Sequence, residues 1–261
     1  MIRPIYRLAC ITLRPLQHLA CAATVLISLW TSPLAAADVP AGCGKAWWCQ
    51  PQVTQEKLAK ALADLDVWAQ DESRKSIYYS TELQPMPMDE TLKAFDKSGF
   101  NNIYGYGSLH WLLKKSAKFV SLLFPGHFVT VLRVNSNHPY SNPSGSHDAH
   151  SKGLDVDMGY VLIDPNDESS QIDFEAQFWF IYMLYSEAKL VSSHRYSGFS
   201  YIHEMESYLD SAIARAMIPK HFRFSGITDP WEFSHISHFH FGINPCAKPL
   251  TRTASGPRCL P

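Results

Sequence analysis

The spacing of hydrophobic residues predicts four helices. Large apolar side chains recur every three or four residues between Leu58 and Trp68, which predicts a helix over residues 54–70. Thr54 has the side-chain oxygen that a helix N-terminus requires of its capping residue. The same kind of spacing predicts three further helices, over residues 109–123, 174–190 and 204–217.

Alternation of residue type predicts three strands, over residues 128–134, 154–161 and 238–243. Successive side chains on a strand point to opposite faces, so Asp155 and Asp157 share one face of the second strand. By the same rule, His238 and His240 share a face of the third strand, while Phe239 points to the other. Strands and helices follow one another without a regular β-α-β order. This order favours an α+β fold with a small central antiparallel sheet, flanking helices and long loops.

Residues 1–37 have the parts of an export signal. A basic beginning is followed by the apolar run Leu19–Trp30 and by the small residues Ala35–Ala37, which suit a cleavage site. The alternative is a membrane anchor, but the apolar run is shorter than the ~20 residues that span a bilayer, and Pro33 follows it. We therefore expect a periplasmic protein with no stable membrane anchor, in which residues 38–261 form a single domain.

Four cysteines lie beyond the predicted signal: Cys43, Cys49, Cys246 and Cys259. An even number in an exported chain predicts two disulfides, and three pairings of the four are possible. A four-cysteine zinc knuckle is the alternative, although an oxidising compartment and the irregular spacing disfavour it. The formal net charge of −1, without a basic block, predicts that the protein does not bind nucleic acid.

Three residues far apart in the sequence have the chemistry of a metal site. Asp157 lies on a predicted strand, and His150 precedes it by seven residues, with Gly153 allowing a tight turn between them. A neighbouring antiparallel strand would bring His240 alongside. Two imidazoles and a carboxylate are a ligand set of catalytic zinc, because they leave the fourth tetrahedral position open for water. We therefore predict a single zinc cleft.

Two motifs carry a resemblance to a known family. The segment SHDAHSKGLDVD, residues 146–157, resembles the first zinc motif of penicillin-insensitive murein endopeptidases, which reads H-x-x-H-x-x-G-L-D-V-D. The segment HISHFH, residues 235–240, matches the second motif of that family, H-x-x-H-x-H. The family belongs to the lysostaphin-like and D-Ala-D-Ala-cleaving metallopeptidases. The resemblance covers about residues 100–245.

The resemblance implies roles for individual residues. His150, Asp157 and His240 would bind Zn²⁺, with His238 as the catalytic histidine and His235 as a supporting one. Two further residues, His147 and Asp173, correspond to positions where some relatives hold a second metal. Ala176 stands where the next ligand of that second site would be, so we expect His147 and Asp173 to lie beside the metal or to face the substrate. Asp173, or alternatively Ser170, is also a candidate cap for the helix that follows.

Four residues have alternative interpretations. Asp155 could hydrogen-bond a ligand histidine and fix its tautomer, or it could be a surface carboxylate. Arg133 could bind a substrate carboxylate or stabilise an oxyanion, or it could be merely solvated. In a rival assignment, Glu232 and His235 form an E-x-x-H motif like that of D-Ala-D-Ala dipeptidases, with Glu232 as the base and His235 as the third ligand.

The function implied by the resemblance is that of a zinc metallopeptidase. It would be a murein endopeptidase that uses a zinc-activated water to hydrolyse D-alanyl peptide cross-links of peptidoglycan, so its partner would be a peptidoglycan peptide. One alternative is a D,D-carboxypeptidase or dipeptidase of the same group. Another is a non-catalytic exported module that binds zinc.

Overall fold

A computed structural model describes residues 51–80, 82–95, 103–136, 154–191, 193–198, 201–224, 227–228, 237–244, 250–253 and 256–259. These residues belong to one compact unit, Val39–Pro261. The predicted export signal lies outside the described residues, and so do Cys43, Cys49 and Cys246. Within the described ranges, no helix combines the length and the apolar character that crossing a membrane requires.

The described residues form four helices, a 3₁₀ turn and eleven strands. The helices are α1 (Gln55–Glu72), α2 (Gly107–Leu123), α3 (Phe174–Val191) and α4 (Ile202–Ala214), and the 3₁₀ turn is Ser76–Tyr79. The strands are β1 (Gln84–Pro85), β2 (Leu92–Ala94), β3 (Ile103–Gly105), β4 (Val129–Arg133), β5 (Asn135–Ser136), β6 (Asp155–Gly159), β7 (Ser193–Gly198), β8 (Ile227–Thr228), β9 (His238–Asn244), β10 (Leu250–Thr253) and β11 (Gly256–Cys259).

All four predicted helices are present, and two of the predicted caps are confirmed. The Thr54 hydroxyl accepts a hydrogen bond from the Lys57 N–H at 3.2 Å, at the start of α1. Asp173 caps α3, where its Oδ1 accepts from the Ala176 N–H at 3.0 Å. Helix α2 begins two residues before the predicted start, at Gly107. A Cβ at Gly107 would lie 2.5 Å from the backbone of the 3₁₀ turn, so only glycine permits this contact.

The central sheet has six strands in the order β2-β4-β6-β9-β7-β8. The α+β prediction is confirmed in its coarse form, and the middle four strands are antiparallel as expected. The expectation of a wholly antiparallel sheet is wrong, because β2 is parallel to β4 and β8 is parallel to β7. Helices α2 and α4 provide the crossover connections that parallel neighbours require. Two further sheets are small: β1-β3-β5 and the hairpin β10-β11.

One face of the central sheet packs on α3. Val156 and Met158 of β6 and Phe239 and Phe241 of β9 are buried on this face. The Phe239 ring meets that of Phe180 of α3 at 5.9 Å between centroids, in a T-shaped contact. The opposite face of β6 and β9 is therefore left for the residues that have candidate chemistry.

A buried carboxylate ties the beginning of the described chain to α3 and α4. Glu175 accepts hydrogen bonds from the backbone N–H groups of Gln52 at 2.7 Å and Val53 at 2.9 Å. It also accepts from the Tyr208 hydroxyl at 2.7 Å. Glu175 lies in the first turn of α3, where the helix dipole favours a negative charge. Three donors and the dipole together compensate the burial of this charge.

Helix α2 contains a fully buried histidine. Neither ring nitrogen of His110 has a hydrogen-bond partner among the described residues. The ring lies so close to β3 that a Cβ at Gly105 would be 3.2 Å from the His110 Nε2 atom. Burial lowers the pKa of His110 to about 4. The ring is therefore neutral in the folded protein at neutral pH.

We predict that His110 weakens the fold in acid. A histidine whose pKa is depressed by folding contributes stability above its unfolded pKa of about 6.5, and this contribution is lost as the pH falls towards about 4. Between pH 7 and pH 4, the unfolding free energy of the native protein should fall by about 3 kcal/mol more than that of His110→Leu. Urea unfolding at several pH values measures this difference. His203→Leu, at an exposed position on α4, is the control, and equal pH profiles for all three proteins would contradict the prediction.

Candidate functional site

The register between β6 and β9 places the candidate residues in rows across the sheet. Asp157 lies directly opposite His240. The pairing extends to both outer neighbours, because Arg133 of β4 is opposite Asp157 and Gly198 of β7 is opposite His240. Four strands therefore contribute to one row, with Asp157 and His240 at its centre.

The two central strands have the same pattern on this face. Strand β6 reads DVDMG, and β9 begins HFHFG, so each has two ionisable residues followed by a glycine at a spacing of two. Because the strands are antiparallel, Gly159 lies opposite His238, and Gly242 lies opposite Asp155. On the face of the sheet that carries Asp157 and His240, the side chains of Asp155–Gly159 and His238–Gly242 are only carboxylates, imidazoles and glycines.

Asp157 and His240 are in direct contact. The distance between Asp157 Oδ1 and His240 Nδ1 is 2.8 Å, which is a hydrogen bond. The Nε2 atom of His238 lies 4.0 Å from the same Asp157 oxygen. The side chains of Asp157 and His238 are 17% and 23% exposed, whereas that of His240 is 3% exposed. Solvent therefore reaches the site from the side of Asp157 and His238.

His240 lies between two carboxylates. The Oδ2 atom of the buried Asp155 is 3.8 Å from His240 Nε2, which is an ion-pair distance and longer than a hydrogen bond. Of the two interpretations of Asp155, the structure favours a carboxylate beside the histidine over a surface carboxylate, since Asp155 is 1% exposed. Burial acts to lower the pKa of His240, but Asp155 and Asp157 outweigh burial and raise this pKa to about 9.

The raised pKa of His240 has a consequence for the stability of the fold. A histidine whose pKa is raised by folding stabilises the fold fully below its unfolded pKa of about 6.5. This contribution is lost as the pH rises through about 9. The two carboxylates therefore favour a positive charge between them, and a proton on His240 supplies it.

The donor set also fits a divalent cation. A carboxylate oxygen and a neutral imidazole nitrogen are both zinc ligands, and two such atoms on one tetrahedral zinc lie roughly 3.3 Å apart. The contact between Asp157 and His240 would need to lengthen by roughly half an ångström. Among the residues that the structure describes, no three His, Cys, Asp or Glu side chains form a group that could hold a metal ion. The third predicted ligand, His150, lies outside the described residues.

The other predicted site residues are described only in part. His147 and His235 lie outside the described residues, as does Glu232 of the rival assignment. The backbone of Arg133 is described and occupies the row of Asp157. Asp173 has a structural role, because it caps α3 and its Oδ2 lies 3.1 Å from Nε2 of His127. This histidine contact was not predicted from the sequence.

Sequence reasoning also missed the glycines of the site. Gly159 and Gly242 each continue the period of two that begins with the ionisable residues, so the signal was present in the sequence. The sequence could not reveal which residue each glycine faces, because that depends on the register.

Comparison of the chain with protein-family models, curated proteins and solved structures found no match.

We predict that Asp155→Asn lowers the pKa of His240. The substitution removes one of the two negative charges that raise this pKa and leaves in place the hydrogen bond that Asp157 accepts from His240. NMR titration of the imidazole nitrogens in metal-free protein would measure the change. Asp64→Asn, on the half-exposed face of α1, is the matched control and should leave the His240 titration unchanged. If Asp155→Asn and native protein titrate alike, the charge of Asp155 does not act on His240.

Proposed function

We propose that this protein is a zinc-dependent peptidoglycan endopeptidase that hydrolyses D-alanyl peptide cross-links in the periplasm. The observation that carries the proposal is the contact between Asp157 and His240, with His238 on the same sheet face. These are the residues to which the two sequence motifs assign metal binding and proton transfer. Their side chains meet although 83 positions separate Asp157 from His240.

The proposed zinc would be held by Asp157, His240 and His150, the last from the sequence motif alone. Zinc with three protein ligands polarises a peptide carbonyl and lowers the pKa of water towards about 7. Asp155 lies next to the His240 nitrogen that faces away from Asp157. Its role would be to orient the His240 ring so that Nδ1 remains directed at the metal position.

His238 is the proposed proton carrier. Its Nδ1 atom lies 3.3 Å from the Ser237 hydroxyl, and its Nε2 atom faces Asp157. Nε2 would accept a proton from water and deliver it to the leaving amine. A histidine suits this role because its ordinary pKa lies near neutral pH. His235 would help to stabilise the oxyanion, and Arg133 would bind a substrate carboxylate.

We predict that replacing His240 and His238 gives different defects. His240→Ala removes a ligand, so the purified protein should lose zinc and hydrolysis together. His238→Ala should retain one zinc per chain but lose roughly 10²- to 10⁴-fold in kcat, the usual contribution of a general acid or base. Metal analysis and digestion of purified muropeptides measure the two properties.

Controls and alternative outcomes sharpen this test. His203→Ala, on the exposed side of α4, should resemble native protein in both assays. Zinc loss in His235→Ala but not in His240→Ala would support the rival ligand assignment. Release of terminal D-alanine without cleavage of cross-linked dimers would identify a carboxypeptidase. A zinc-loaded native protein that leaves all muropeptides intact would contradict the proposed enzyme.

A further inference from the structure

Gly159 is the glycine at the solvent-accessible end of the site. It is partly exposed and lies opposite His238, whereas Gly242 is buried opposite Asp155. Cβ positions of directly opposite residues in an antiparallel sheet are about 5 Å apart. The missing side chain at Gly159 therefore leaves a space immediately beside His238.

Among the residues that the structure describes, neither the backbone nor the packing requires glycine at position 159. Its φ angle lies outside the left-handed region. A Cβ at Gly159 would meet Thr130 Cβ at 3.4 Å, the Thr130 carbonyl oxygen at 3.7 Å and Leu132 Cδ2 at 3.9 Å, all ordinary van der Waals distances. Gly107 provides the contrast, because a Cβ there would lie 2.5 Å from the backbone of the 3₁₀ turn.

A glycine within a strand often marks a bulge, a tight bend, or a place where a ligand or another backbone approaches closely. Gly159 also weakens its strand, because glycine loses more conformational freedom on folding than alanine does. The space at Gly159 has side chains on two sides. Thr130 and Leu132 of β4, both partly exposed, form one wall, and His238 of β9 forms the other.

We propose that Gly159 is a specificity-determining residue that keeps a methyl-sized recess open beside His238 for a small side chain of the substrate. The inference rests on the proposed function, since it assigns the recess to the peptide on which His238 acts. A glycyl or alanyl residue fits the space that one missing side chain leaves. A branched side chain would meet Thr130 or Leu132.

The test compares peptides that differ in one side chain. Cross-linked muropeptide analogues with glycine, alanine or valine beside the scissile bond would be digested with zinc-loaded native protein, Gly159→Ala and Leu132→Ala. Gly159→Ala fills the recess with one methyl group. It should lower kcat/KM for the alanyl peptide by roughly 10- to 200-fold, the range for one methyl group in a pocket, and affect the glycyl peptide less.

Leu132→Ala provides the reciprocal change. It removes part of the wall of the recess, so kcat/KM for the valyl peptide should rise relative to that for the alanyl peptide. Zinc content and Tm separate these effects from misfolding. Gly159→Ala should bind one zinc per chain and unfold at the native temperature or above, because alanine suits the strand better than glycine.

The outcomes distinguish the two proposals. Equal side-chain preference in native protein and Gly159→Ala would overturn the assignment of the recess and leave the proposed endopeptidase intact. Loss of zinc by Gly159→Ala would also overturn it, because the residue would then act through the metal ligands. A zinc-loaded native protein that cleaves none of the peptides would overturn the proposed function, and the specificity inference with it.

Discussion

The site depends on the register between β6 and β9. Because side chains alternate along a strand, a slip of one residue would turn Asp157 or His240 towards α3 and would bring Met158 or Phe239 to the solvent side. The core opposes this slip, since the apolar residues of both strands are buried against α3. The same alternation therefore forms the core on one face and gathers the ionisable residues on the other.

The carboxylates and the histidines compensate each other's charges in this arrangement. A buried Asp155 is unfavourable unless a positive charge lies nearby, and His240 supplies one when it is protonated or would share one when a metal is bound. The more exposed Asp157 has contacts to both His240 and His238. A proton and a bound metal ion would therefore compete for one position, which is a general property of metal sites with imidazole ligands.

Periodicity in the sequence predicted the four helices and the central strands β4, β6 and β9, because each extends over several repeats, but it did not predict β7. It also predicted that Asp155 and Asp157 share a face, which the pairing of β6 with β9 confirms. The edge strands β2 and β8 were missed, because three and two residues are too few to show alternation. Which residues lie opposite each other could not be predicted, because register depends on packing across the whole sheet. The contact between Asp173 and His127 is likewise a product of tertiary structure.

The carboxylate of Glu175 sets a limit on how far the chain can be shortened from its beginning. Trimming that stops before Gln52 leaves both backbone donors in place. If the chain began after Val53, the buried Glu175 carboxylate would lose both backbone donors. Of the three hydrogen-bond donors described above, only the Tyr208 hydroxyl would remain. Such a chain would have to hydrate or protonate Glu175, and either change would loosen the junction of α3 and α4. These hydrogen bonds therefore set an upper limit on trimming, well before the first residue of the central sheet.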